Sequence, residues 1–211
     1  CIKTGDGNYL IAGGAGADVI EAGAGNDTVT YDKADWHAFG GSGDDTLVVT
    51  TGLSGAAGST AIADFTLSAG TQVKGFEIID LSGAGGQAAK LDENAVLNLS
   101  DNGRLMVKGT SADLLQLYGG WAYVGVDSDA SGAIYKVLQK GDAFVTVADE
   151  IQLNITNELG GAVKVYGSGP DLVELPSNSI EGAMTGDGDD IITVSNMSFA
   201  AIDAGRGNDA L

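Results

Sequence analysis

One cysteine, one histidine and ten lysines and arginines are all that this 211-residue chain holds of the residue types behind much redox, metal-hydrolytic and nucleic-acid chemistry. Cys1 is the sole thiol, so no intrachain disulfide can form, and the bland reading is an exposed thiol. His37 alone cannot supply the paired histidines of an HExxH zinc helix, and neither a GxSxG elbow nor a GxxxxGK[ST] phosphate loop occurs. With 29 aspartates and glutamates the net charge is −19, which excludes a phosphate backbone as partner and disfavours an acidic bilayer surface. No apolar run approaches the ~20 residues of a membrane span. The N-terminus lacks the charged and apolar regions of a signal peptide. The expectation is a soluble protein with no catalytic role, no nucleic-acid partner and no direct membrane insertion.

Glycine, in contrast, is abundant, with 34 residues, and it recurs at fixed spacing. Five nine-residue blocks run in register from Thr4 to Val48: TGDGNYLIA, GGAGADVIE, AGAGNDTVT, YDKADWHAF and GGSGDDTLV. Their sixth position reads Tyr9, Asp18, Asp27, Trp36, Asp45, and their eighth reads Ile11, Ile20, Val29, Ala38, Leu47. A period of nine with this pattern signals stacked coils of a parallel β-helix with Ca²⁺ held in the turns. Glycine allows turns at φ > 0, and aspartate supplies the hard anionic oxygen that calcium prefers. The residues after each aspartate extend into a short strand whose eighth-position side chain points into the coil. A second run, YGSGPDLVE (166–174), TGDGDDIIT (185–193) and AGRGNDAL (204–211), repeats at nineteen. Divalent ions would neutralise much of the acidic charge, which makes calcium part of folding.

These blocks resemble the GGxGxDxUx repeats of the RTX (repeats-in-toxin) family. The resemblance implies a parallel β-roll in which two nonads make one coil and ions sit between loops on one edge. Carried over, the earlier loop of a pair gives the carbonyls of positions one and three with its Asp, and the later gives two and four with its Asp. The first site is then Ala22, Ala24 and Asp27 with Gly41, Gly43 and Asp45. Another joins Thr4 and Asp6 to Gly23, Gly25 and Asp27, with Tyr9 where the family has Asp. On the opposite edge Asp18 faces the block carrying Trp36, so an ion there requires Asp32 or Asp35 to substitute. At the C-terminus the sites are Tyr166, Ser168 and Asp171 with Gly186, Gly188 and Asp190, and Thr185, Asp187 and Asp190 with Gly205, Gly207 and Asp209. The opposite edge of that run carries no ligand motif, so calcium is expected on one edge only. The resemblance also implies type I secretion and a bacterial-surface location, and the chain begins and stops inside a repeat, as a piece of a longer protein would.

Residues 49–165 do not repeat. Residues 49–70 read as loop. Alternating patterns predict strands over residues 76–81, 104–108, 114–118, 121–126, 133–139, 143–147 and 151–155. Residues 91–100 suit a short helix with Asp92 near its N-cap. This succession, with its GGW landmark, resembles a module of giant RTX adhesins that binds ligands at the tip of a surface fibre. That resemblance implies a calcium-assisted grip on extracellular peptide or protein ends of another cell, with a glycan as the alternative. Candidate ligand-binding residues are Tyr118, Trp121 and Tyr123 around Gly119 and Gly120, Asp101 and Asn102 at a turn, and the Asp127/Asp129 pair. Each has a plainer role available: core or sheet-face packing for the aromatics, a solvated loop for the acidic pair. The YDKADWHAF block, with Trp36 and His37, offers either a ligand surface or an edge cap.

The resulting expectation is an all-β protein: RTX β-roll repeats over residues 1–48 and 166–211, and a β-rich ligand-binding region over 49–165, inserted in or stacked on the roll. A calcium-stiffened spacer and the calcium-binding tail of a secreted enzyme or toxin remain open beside the adhesin.

Overall fold

A computed structural model describes residues 1–32, 34–50, 62–66, 72–83, 85–156, 162–166, 169–175, 182–194 and 202–211. The N-terminal repeats form two facing parallel sheets. Ile2–Lys3, Val19–Ala24, His37–Ser42 and Gln72–Lys74 make a four-stranded sheet, and Leu10–Ala12, Thr28–Tyr31 and Thr46–Val49 lie in the sheet opposite. Ile2 pairs with Ile20 and Ile20 with Ala38, while Leu10 pairs with Thr28 and Thr28 with Thr46. Two nonads therefore make one coil, as the family resemblance implies. The eighth-position residues Ile11, Ile20, Val29, Ala38 and Leu47 are all buried in one cluster closed by Phe76. Each large member contributes about 1.5–3 kcal/mol by leaving water.

The repeat-free region continues this coil. Thr46–Val49 pairs with Ile78–Asp80, which pairs with Arg104–Lys108, which pairs with Ala143–Ala148, all in parallel. These belong to one eight-stranded sheet that also holds the repeats. Repeats and repeat-free coils thus share sheets: the edge of Thr46–Val49 would otherwise leave backbone groups unpaired, and the next irregular coil satisfies them. A seven-stranded sheet runs from Ala63–Asp64 through Ala88–Leu91, Leu114–Leu117 and Gln152–Thr156 to the C-terminal strands Ala162–Val165, Gly182–Met184 and Ile202–Asp203. Between these sheets lies the larger core, built on Leu81, Leu91, Leu105, Leu115, Leu117, Leu138 and Trp121. In the C-terminal run Leu172 pairs with Ile191, reproducing the nineteen-residue spacing.

Two features interrupt the coil. The predicted helix forms over Glu93–Leu99, where Asp92 accepts from the Ala95 N–H at 2.7 Å and Val96 and Leu99 face the core. The hairpin Ala122–Ser128/Ile134–Lys140 is antiparallel and forms one end of the eight-stranded sheet. Most of residues 49–70, expected as loop, lie outside the described residues; of those described, Val49 ends the strand Thr46–Val49, and Ala63–Asp64 forms a strand of the seven-stranded sheet because its backbone pairs with Ala89 and Lys90 and Ala63 is buried in the core.

Candidate calcium loops

On one edge of the N-terminal roll the loops 4–9, 22–27 and 40–45 stack. Each later aspartate reaches back to the coil before it. The Tyr9 N–H donates to Asp27 Oδ1 at 2.8 Å, and the Asp27 N–H donates to Asp45 Oδ1 at 2.7 Å. The C-terminal run repeats this ladder, with Asp171 N–H to Asp190 Oδ1 at 2.9 Å and Asp190 N–H to Asp209 Oδ1 at 3.1 Å. One carboxylate oxygen of each is thereby used. The other oxygen of three of these, Oδ2 of Asp27, Asp45 and Asp190, is buried with no hydrogen-bond partner, as are Oδ2 of Asp171 and Oδ1 of Asp187.

Such an oxygen costs free energy unless a cation meets it. The ion pairs Lys3–Glu21, Lys90–Asp64 and Lys136–Asp149 involve none of these loop aspartates. Burial, with the charges of Asp27, Glu77 and Asp44, pushes the Asp45 carboxyl up to about 6 against the pull of the Asp27 N–H. Asp171 is also raised, by burial and by Asp190. Among the described residues no three His, Cys, Asp or Glu side chains cluster as a metal site. The potential donors here are paired carboxylates with backbone carbonyls, the all-oxygen set suited to calcium.

Glycine permits the loops to approach. A methyl group built on Gly41 would stand 1.8 Å from the Gly23 carbonyl oxygen, and one on Gly43 2.4 Å from that of Gly25. The interloop hydrogen bonds show which way the carbonyls turn. Ala24 N–H donates to Gly5 O, while Gly7 N–H donates to Ala24 O and Gly25 N–H to Ser42 O. Arg206 N–H to Gly186 O and Gly188 N–H to Arg206 O follow the same scheme. Position two of the earlier loop thus faces forward and position three of the later loop faces back, opposite to the donor order carried over from the family. Between loops 22–27 and 40–45 the Gly23 and Gly25 carbonyls then face the later loop, and the Ser42 carbonyl and the Asp45 carboxylate face the earlier one. Ser42 was absent from the expected set because the expected order took position three from the earlier loop.

The remaining expected donors fall as follows. Thr4 and Thr185 each turn a hydroxyl to the later loop's position-one carbonyl, that of Ala22 and of Ala204 respectively. Asp6 is exposed and pairs by a backbone bridge with Ala24. Gly205 and Gly207 pack on the carbonyls of Gly186 and Gly188. Tyr166 donates its N–H to Met184 O at 2.8 Å, and Ser168 lies outside the described residues. On the opposite edge Asp35 takes the place that Trp36 vacates. Its Oδ1 accepts from Asp18 N–H at 3.3 Å and its Oδ2 from Asp32 N–H at 3.0 Å, so backbone donors engage both oxygens.

The candidate ligand residues do not converge. Trp121 and Tyr123 belong to the core, and the Trp121 indole N–H donates to Tyr118 O at 3.2 Å. Their apolar rings fill the end of the large core, which an alternating pattern cannot distinguish from a surface platform. Tyr118 is 39% exposed with the Lys90 ammonium 4.6 Å from its ring centre. Asn102 spends its carbonyl on the Arg104 N–H and the Ser100 hydroxyl, holding a turn beside exposed Asp101. Asp127 and Asp129 stand on the far end of the hairpin. Hydrogen bonds from the Ser131 and Tyr135 hydroxyls and the Ala133 N–H hold Asp129 down at about 2. Trp36 is 63% exposed and meets His37 edge-on, with Phe39 and Lys74 alongside.

The stacked glycine-aspartate loops define a parallel β-roll with calcium-type turns. A family model for the RTX calcium-binding nonapeptide repeat, four copies, matches residues 2–33 and 38–52. The chain carries RTX repeats and is calcium-binding, and such repeats occur in proteins exported by type I secretion. No curated protein and no solved structure matches it.

Proposed function

We propose that this chain is the calcium-dependent ligand-binding module of a secreted, surface-borne adhesin, gripping extracellular peptide or protein ends on another cell without catalysis. The observation that carries this reading is the hairpin Ala122–Ser128/Ile134–Lys140. It is an antiparallel excursion from a parallel coil, and it presents Val124, Val126 and Ile134 to solvent beside Asp127 and Asp129. Exposed apolar residues on a terminal strand favour capture of an extended segment by strand addition.

The base of the hairpin is tied to the C-terminal loops. The Tyr123 N–H donates to Asp203 Oδ2 at 3.0 Å. The Tyr123 phenol, buried beside the Asp187 carboxylate, is raised to about 12. A methyl group on Gly125 would lie 3.6 Å from the Arg206 guanidinium. Calcium order in those loops would therefore reach the presented strand.

The test is an array of glycans and of peptides with free or amidated C-termini, probed in calcium and in chelator. Calcium-dependent peptide hits lost on amidation support the proposal. Glycan hits move the module to the lectin class. A spacer that only stiffens a fibre is the second reading, favoured by sheets that run unbroken from repeats to repeat-free coils. An array without hits supports it.

A further inference from the structure

The loop edge does not end with the last recognised repeat. After loop 40–45 the next coil on that edge turns through Gly75, Phe76 and Glu77. Strand register aligns Phe39 with Lys74 and Thr46 with Ile78, so Gly75 falls opposite Gly40 and Glu77 opposite Asp45. Three residues thus stand where the repeats have six. Glu77 also takes over the ladder: the Asp45 N–H donates to Glu77 Oε2 at 3.0 Å, as Asp27 donates to Asp45 and Tyr9 to Asp27. Glutamate carries one methylene more than aspartate, which lets a shortened loop reach the same point.

The oxygens at this junction converge. Gly40 is buried, and a methyl group built on it would lie 1.8 Å from the Gly75 carbonyl oxygen and 2.7 Å from Asp45 Oδ2. Asp45 is fully buried, and that Oδ2 has no hydrogen-bond partner. Gly75, at φ +70°, packs directly on Gly41. A carbonyl oxygen and an orphaned carboxylate oxygen therefore point at one small cradle, with a second carboxylate at its rim. Oxygen ligands at about 2.3–2.6 Å from a hard divalent cation suit such a cradle.

We infer that Asp45, Glu77 and the Gly75 carbonyl hold a divalent cation, Ca²⁺ by donor type, at the junction between the last repeat coil and the first repeat-free coil. This site clamps the two regions together. Phe76, between its ligands, is buried in the repeat core and donates its N–H to Leu99 O at 2.9 Å, at the C-terminal end of the helix. An ion here therefore braces the helix as well as the loop edge, whatever the hairpin binds.

Equilibrium dialysis with radioactive calcium, on the whole chain, tests the site. Glu77→Gln keeps an oxygen for the Asp45 N–H but removes the charge. Bound calcium should fall by one ion per chain while the other ions remain, and Glu77→Asp, too short to span the gap, should do the same. Unchanged stoichiometry in a folded Glu77→Gln would overturn the inference. Should the variants not fold, a crystal structure of the unaltered chain grown in calcium decides: anomalous density in contact with Asp45 and Glu77 is expected, and its absence refutes the site.

Discussion

Asp45→Asn separates the role of a loop aspartate as calcium ligand from its role as structural acceptor. Asn retains an oxygen for the Asp27 N–H, so the interloop ladder survives. What changes is the charge at Asp45 Oδ2, buried and unpartnered in the protein's own hydrogen-bond network. Asp45 stands between two interloop gaps, one shared with Asp27 and one with Glu77. With extracellular-type affinities of about 10⁻⁴ to 10⁻³ M, an ion in about 5 mM calcium stabilises by roughly 1–2 kcal/mol. Two weakened sites therefore cost about 2–4 kcal/mol, and at about 2–4 °C per kcal/mol for this size the Tm falls by roughly 5–15 °C. In chelator the same change should leave Tm unchanged or raise it, because the ionised carboxylate there opposes its own burial and the charges of Asp27 and Glu77. Calorimetric melts of both proteins in calcium and in chelator measure the difference. A loss of equal size in both conditions would show that Asp45 acts only as a hydrogen-bond acceptor, and the calcium assignment for its loop would fall.

Leu47→Ala deletes a fully buried eighth-position side chain and should cost about 2–5 kcal/mol with or without calcium, seen as parallel shifts in urea melts. Gly41→Ala forces a side chain to φ +116° and into the Gly23 carbonyl, so the variant should be destabilised in both conditions and bind less calcium by dialysis. The Asp129 carboxyl, held down at about 2, should keep its bonds to Ser131 and Tyr135 above the ordinary aspartate range near pH 4. That contribution should disappear as pH falls through about 2, and an NMR titration midpoint near 4 would contradict it. Asp203→Asn weakens the acceptor of the Tyr123 N–H and should speed hydrogen exchange at that amide while the core amides of Leu115 and Val145 stay protected.

Spacing alone made the repeat edges legible. The nine-residue period placed Ile11, Ile20, Val29 and Leu47 in the core, and the nineteen-residue period set Leu172 against Ile191, because a stacked coil can keep its register only if each turn has the same length. The strand alternation and the Asp92 cap were likewise local signals that survived folding. The direction of each carbonyl was not legible, since that depends on how one loop hydrogen-bonds to the next. Nor could the pattern decide that Trp121 and Tyr123 turn inward while Val124 and Val126 turn out, because core and platform share one alternation and only the opposing sheet distinguishes them.

What the sequence determined by itself was the repeat period, the inward apolar column and the acidic, glycine-rich turns, all consequences of chain geometry and residue chemistry over nine positions. Tertiary structure alone decided that Asp35, and not Asp32, answers Asp18, that Glu77 answers Asp45 across an irregular connection, and that repeats and repeat-free coils share their sheets. Those pairings join residues whose separation in the chain follows no period, so only the stacking of backbone hydrogen bonds brings them face to face.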